Sequence, residues 1–193
     1  YKAVLEKKQV AVLVPTTILA LQHYNSFKQR FKEFPVNIDF LSRFKTPKQE
    51  KEIKEKVENG QIDILIGTQM ISKGHNFRNT NLVLVLGTDA QMNFPDFRAN
   101  ERVYQQLVQV SGRSGRFGQE SEVLVHTFDS SNRVYTYLND EDSDKFYQDE
   151  LAIRESCSLP PFFKTAIIYF TSKFKERAEE DSQRARAIID NLI

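Results

Sequence analysis

Five short apolar runs, separated by segments of helical character, limit what this chain can fold into. Val10 to Val14 reads Val-Ala-Val-Leu-Val, with no polar residue to mark a solvent face. Such a run fits a strand covered on both sides, as in a parallel sheet. Val36 to Leu41 alternates and predicts a shorter strand. Ile62 to Ile66, Leu82 to Leu86 and Glu122 to Thr127 predict three more. Pro15 ends the first run, and Thr16-Thr17 can cap a helix that runs to about Phe31. In that helix Leu19, His23, Phe27 and Phe31 recur at four-residue steps, which places His23 on an apolar face. Thr46-Pro47 starts a second helix, supported by the pairs Glu50–Lys54 and Glu52–Lys56 and ended by Asn59-Gly60. Pro95-Asp96 starts a third, to about Val110. The order β-α-β-α-β-loop-β-α-β predicts an α/β fold, a parallel sheet with helices on both faces.

Beyond that sheet the pattern changes. Asp129 to Asp149 is polar and acidic and predicts a helix with its connections. Phe162 to Thr171 predicts a strand outside the main sheet. A last helix, about Lys173 to Leu192, puts Phe174, Ala178, Ala185, Ile188 and Leu192 on one face. The expected division is a lobe over 1–128, a helical connection over 129–158 and the start of a further domain over 159–193. The first residue is Tyr, so the chain is expected to be a piece of a longer protein.

Two stretches carry the chemistry. Ile64-Leu65-Ile66 runs into Gly67-Thr68-Gln69-Met70-Ile71-Ser72-Lys73-Gly74-His75-Asn76-Phe77. A small polar turn at the end of a buried strand can present backbone N–H groups and a hydroxyl to a phosphate. The second stretch is Gln109-Val110-Ser111-Gly112-Arg113-Ser114-Gly115-Arg116. Two arginines in a Gly-spaced loop can reach phosphates with little crowding.

At these residues the chain resembles the second motor lobe of the superfamily 2 DNA helicases, in particular the primosomal protein N′ family of replication-restart helicases. Gly67 to Phe77 looks like motif V of that family, and Gln109 to Arg116 looks like motif VI. Asp96-Phe97-Arg98-Ala99-Asn100-Glu101-Arg102 and Leu159-Pro160-Pro161-Phe162 also fit. A lone Gly-Arg-x-Gly-Arg is weak, whereas four motifs in order are specific. This resemblance runs from about Ile62 to the C-terminus. The first third is similar to another family, the transcription-repair coupling factors. Val12 to Ala20, Phe34-Pro35-Val36, Leu41-Ser42-Arg43-Phe44 and Asp63 to Thr68 carry that likeness, with Pro15-Thr16-Thr17 in the place of motif Ia. The sequence therefore reads as a hybrid with a join near 66–68.

The resemblance implies a RecA-like lobe of the P-loop NTPase type, and it implies roles. Arg113 and Arg116 would act as arginine fingers on a γ-phosphate held by a partner lobe, with Gln109 as helper. Gly74, Asn76 and Gly112 would lie at the nucleotide. Asn76 stands where many related motors carry an Asp that meets the ribose, and it cannot offer that charge. Thr68, Gln69 and Lys73 would contact the DNA backbone, as would Thr16, Thr17 and Arg43. For Thr16 and Thr17 the competing role is a helix cap, for Thr68 a strand-end cap, and for Lys73 a solvated surface cation.

Other features restrict the function. The Walker A pattern G-x-x-x-x-G-K-S/T is absent, and no apolar strand leads into Asp140-Glu141-Asp142. ATP with Mg²⁺ is thus expected in the intact motor, with no ATP hydrolysis by this chain alone. Cys157 is the single cysteine, so no Cys-based zinc site is expected, and the compartment is expected to be the cytoplasm. Lys and Arg total 27 against 26 for Asp and Glu, so net charge gives no support for nucleic acid. No apolar run approaches the roughly 18 residues of a membrane span. The expected partners are single-stranded or forked DNA, a first helicase lobe and replication-restart or transcription-repair proteins. The expected travel is 3′ to 5′. The competing function is a non-catalytic module that binds nucleic acid or protein. A small-molecule binding protein is disfavoured, because Val14-Pro15-Thr16-Thr17 has no glycine to cradle a phosphate.

Overall fold

The computed structural model describes residues 1–68, 80–114 and 122–191, with backbone alone at 113 and 114. The chain forms two compact units, Tyr1–Glu150 and Leu151–Ile193. The first holds five strands in the order β2-β3-β1-β4-β5. They are β1 (Gln9–Leu13), β2 (Ile38–Leu41), β3 (Ile64–Gly67), β4 (Thr80–Val85) and β5 (Glu122–Val125). Every pairing is parallel, as the continuous apolar runs require.

Alternation along the strands sorts the core into two layers. Ala11, Leu13, Leu65 and Val85 point to one face, where they meet α3 (Pro47–Glu58) through Ile53 and Val57. The same layer holds Val103, Tyr104 and Leu107 of α5 (Ala99–Ser114), Val134 of α6 (Arg133–Asn139) and Phe146 of α7 (Ser143–Ser156). Val10, Val12, Val14, Ile64 and Ile66 point the other way. There they meet α1 (Lys2–Leu5) through Val4, and Ala20, Tyr24 and Phe27 of α2 (Thr17–Arg30). His23 is half-buried on α2, edge-on to Phe27.

Local chemistry explains the element ends. Thr46 opens α3 with a full capping box, its hydroxyl accepting from the Gln49 N–H and the Gln49 carboxamide accepting from the Thr46 N–H. Lys54 pairs with Glu50, and Lys56 with Glu52 at 2.8 Å, as the spacing predicts. At the other end Gly60 takes φ +69°, and the Gly60 and Gln61 N–H groups reach the Val57 and Lys56 carbonyls. That is a Schellman closure, which needs the left-handed residue glycine supplies. Gln9, 7% exposed, locks the strand starts. Its carboxamide donates to the Val57 and Ile62 carbonyls at 3.0 and 2.7 Å and accepts from the Thr80 hydroxyl at 3.2 Å.

Three expectations change. The third helix begins at Ala99 rather than Pro95, preceded by the short α4 (Thr88–Met92), and it continues past Val110 to Ser114. Its buried stripe of Val103, Leu107 and Val110 carries it through Gly112 despite a cost of about 1 kcal/mol for a helical glycine. Phe162 to Thr171 forms no strand, because the described residues beyond Leu151 offer no neighbouring strand to complete a hydrogen-bond ladder. In that second unit α8 (Lys175–Asp190) contains no buried residue; Ala178 and Ala185 are half-buried and Ile188 is exposed.

Phe146 is fully buried and stacks on Tyr104 with ring centroids 3.8 Å apart. Replacing Phe146 with Ala should cost about 3–5 kcal/mol, measured as a lower urea midpoint at unchanged slope. A loss under about 1 kcal/mol would show that α7 does not seal this face.

Candidate nucleic-acid interface

In a parallel sheet every strand delivers its chain to the same edge. The carboxyl ends of β2, β3, β1 and β4 therefore carry Arg43, Thr68, Thr16 and Gly87 in that spatial order. Neighbouring strands lie about 4.8 Å apart, so Arg43, Thr68 and Thr16 sit along roughly 10 Å of one edge. The backbone joins them tightly, with the Val14 N–H donating to the Gly67 carbonyl at 2.9 Å. Thr16 is exposed and caps α2, its hydroxyl accepting from the Leu19 N–H at 3.2 Å. Thr17 is half-buried in the first turn, Thr68 is half-buried, and Arg43 is exposed beside buried Ser42.

The strand order reverses between β1 and β4. The chain leaves β1 toward β2 on one side and leaves β4 toward β5 on the other. Ligands of open α/β sheets bind at such a switch point, outside the carboxyl ends. A cavity of about 350 Å³ lies there, walled by Pro15, Thr16 and Leu19 from one side and by Gln91, Phe94 and Arg102 from the other. Gly87 lets the two walls meet. It takes φ +75°, and a Cβ on it would stand 2.8 Å from Pro15 Cγ.

A second Gly-Thr, Gly87-Thr88, thus lies just beyond β4, as Gly67-Thr68 lies at the end of β3. The repeat is visible in the sequence, but its task differs. Thr88 is buried, in contact with the Tyr135 hydroxyl at 2.8 Å and donating to the His126 carbonyl at 3.3 Å. Asp89 accepts from the Thr127 hydroxyl at 2.6 Å and the Phe128 N–H at 3.1 Å. Both residues tie α4 to the exit of β5. Asp96 fixes the next turn, pairing with Arg102 at 2.8 Å and Arg98 at 3.4 Å. The Arg98 backbone N–H on its carboxylate, with the two guanidinium charges, holds Asp96 below its ordinary range. This contribution is present above the unfolded carboxylate's pKa and is lost as pH falls through the depressed value.

The other predicted group lies elsewhere. Ala99 and Arg102, in the first turn of α5, stand at the cavity. From there α5 runs about 24 Å back toward the edge where β5 begins. Gln109, half-buried, and Gly112, exposed, are therefore separated from the Thr16–Thr68 edge by the length of the strands. Arg113 is in the last turn of this helix rather than in a loop, and a Cβ on Gly112 would meet nothing within 4 Å. Gln69, Lys73, Gly74, His75, Asn76 and Arg116 lie outside the described residues. Among the described residues no cluster of His, Cys, Asp or Glu is arranged to hold a metal ion, and no helix is long and apolar enough to cross a membrane.

A family model for the helicase conserved C-terminal domain matches residues 2–118. The chain belongs to this family. One helicase C-terminal domain model therefore covers both sides of residues 66–68. The chain is 37% identical over 153 residues to the replication restart protein PriA of Rickettsia conorii, covering 79% of this chain and 24% of that protein. To PriA of Chlamydia muridarum it is 41% identical over 130 residues, covering 67% and 17%. It thus spans under a quarter of either relative's length. The C-terminal domain of the DEAD-box protein Dbp5 shares the fold at TM-score 0.52 and 17% identity, covering 77% of this chain and 82% of that one.

The two left-handed glycines separate backbone strain from close packing. At Gly60 a Cβ would meet open space, so Ala should cost about 1–2 kcal/mol. At Gly87 Ala adds a collision with Pro15 and should cost about 1–3 kcal/mol more, read from urea midpoints. Equal losses would show that the contact between Gly87 and Pro15 does not constrain the switch point.

Proposed function

We propose that this helicase C-terminal domain is the second motor lobe of an ATP-driven DNA helicase or translocase acting in replication restart or repair. The observation that carries this reading is the similarity to PriA across the stretch that holds both predicted motifs. The carboxyl edge of the sheet supplies the DNA side. Thr16, Thr17, Arg43 and Thr68, with Gln69 and Lys73, contact the backbone of one strand through hydroxyl, N–H and cationic donors. The far end of α5 supplies the nucleotide side. Arg113 and Arg116 serve as arginine fingers for the γ-phosphate held by the partner lobe, with Gln109 as helper and Gly74, Asn76 and Gly112 as nucleotide-binding residues.

ATP with Mg²⁺, when bound to the partner lobe, supplies the phosphoryl group whose hydrolysis releases the closed cleft. In sequence the residues assigned to that site include two arginines and no Walker A loop, which supports a second-lobe share of it. Arginine at this position stabilises the negative charge that develops on the transferred group. Alternating grip by the two lobes then moves the motor 3′ to 5′ along one strand, in the cytoplasm, with replication-restart or repair proteins as further partners.

Mixing the chain with an intact first lobe should restore DNA-stimulated ATP hydrolysis, followed by phosphate release. Arg113→Ala or Arg116→Ala should lower that rate by about 10³-fold, the scale of arginine-finger removal. No restored hydrolysis, or hydrolysis indifferent to both arginines, would favour a binding module without catalysis.

A further inference from the structure

We propose that the cavity between β1 and β4 takes one unstacked base of the bound single strand, against Phe94. This inference rests on the DNA-binding reading above and extends it to the bases. Three observations point to it. The cavity opens beside Thr16, on the edge assigned to the DNA backbone. Its walls are largely apolar, through Pro15, Leu19 and Ala99, and suit a flat ring. Phe94 lines it yet is 62% exposed, an aromatic face without a stacked ring among the described residues.

The aromatic ring discriminates between ligands. Every base has a flat face that stacks on an exposed ring, worth about 1–3 kcal/mol whatever the base, whereas an aliphatic side chain offers no such face. The backbone that carries Phe94 is also held in place. Its N–H donates to the Gln91 carbonyl at 3.3 Å, and the Asp96 N–H donates to the Phe94 carbonyl at 2.7 Å. Asp96 is in turn held to α5 by Arg102. The turn that presents the ring therefore needs little ordering when a base arrives.

A base can come from a free nucleotide or from DNA. Arg102 is the cation in the wall, and Asp96 at 2.8 Å already engages it. That leaves little charge for a diphosphate or triphosphate. A DNA strand brings its base to the cavity with its phosphates spread along Thr16, Thr68 and Arg43, which favours the strand.

The test is fluorescence anisotropy of the full chain with a labelled single-stranded oligonucleotide, compared with an abasic oligonucleotide of equal length. Phe94→Ala should weaken binding of the natural strand about 5- to 100-fold, the effect of losing one stacked base. It should leave the salt dependence unchanged, since no phosphate contact is removed. Phe94→Tyr should bind like the original chain, and the abasic strand should not distinguish Phe94 from Ala. Phe94 is exposed, so unchanged urea unfolding of the variant checks that the fold persists. Intact DNA binding with Phe94→Ala equal to the original overturns the base site and leaves the motor-lobe reading standing. Absence of DNA binding by every form overturns both. Tighter, Phe94-dependent binding of a fluorescent ADP analogue would overturn the assignment to DNA in favour of a free nucleotide.

Discussion

β1 is hydrogen-bonded on both sides, to β3 and to β4, and all five of its residues are buried. The rest of the domain depends on this strand. A strand at an edge can shift register or pair with another chain; one enclosed by two parallel neighbours and two helical layers cannot. Its carboxyl end at Leu13 is therefore a fixed point. Pro15 and Thr16, the next residues out, inherit that position, and Gly87 and Thr68 are set against it by the neighbouring strands. Gln9 performs the corresponding task at the opposite end.

The fixed sheet divides the domain into two chemical ends. One edge collects hydroxyls, a cation and an apolar cavity from four separate loops. The other receives the last turn of α5, with Gln109 and the start of the arginine motif. α5 joins them as a single helix of 16 residues, from Arg102 at the cavity to Arg113 near its end. Val103, Leu107 and Val110 seat that helix on the sheet as one packed element. The proposed motor-lobe reading assigns the nucleotide to one end of it and the DNA strand to the other.

Much of the sheet was legible because buried parallel strands leave an unbroken apolar signature, as at Val10–Val14 and Leu82–Leu86. The caps were legible for the same kind of reason: Thr46, Pro47, Gln49 and Gly60 act within a few residues of one another. The strand order was not legible, because no local pattern states that β3 enters between β2 and β1. The cavity was not legible either. It joins Pro15 and Thr16 to Gln91, Phe94 and Arg102, residues whose proximity exists only after the crossover that places β4 beside β1. The end of α5 misled for a different reason. Gly112 signals a break locally, but burial of the preceding stripe outweighs its helix cost. Phe162–Thr171 has the residue types of a strand, yet a strand is a paired object and this one has no neighbour among the described residues.

On the proposed reading, the carboxyl edge of this sheet holds the backbone of a DNA strand. Anisotropy of a labelled single-stranded oligonucleotide across a salt series should then show binding whose logarithm falls linearly with the logarithm of salt concentration. Arg43→Ala and Lys73→Ala should each make the slope shallower by about 0.7, the release of one counterion from a single strand. No binding at low salt, or a slope that neither substitution changes, would contradict it.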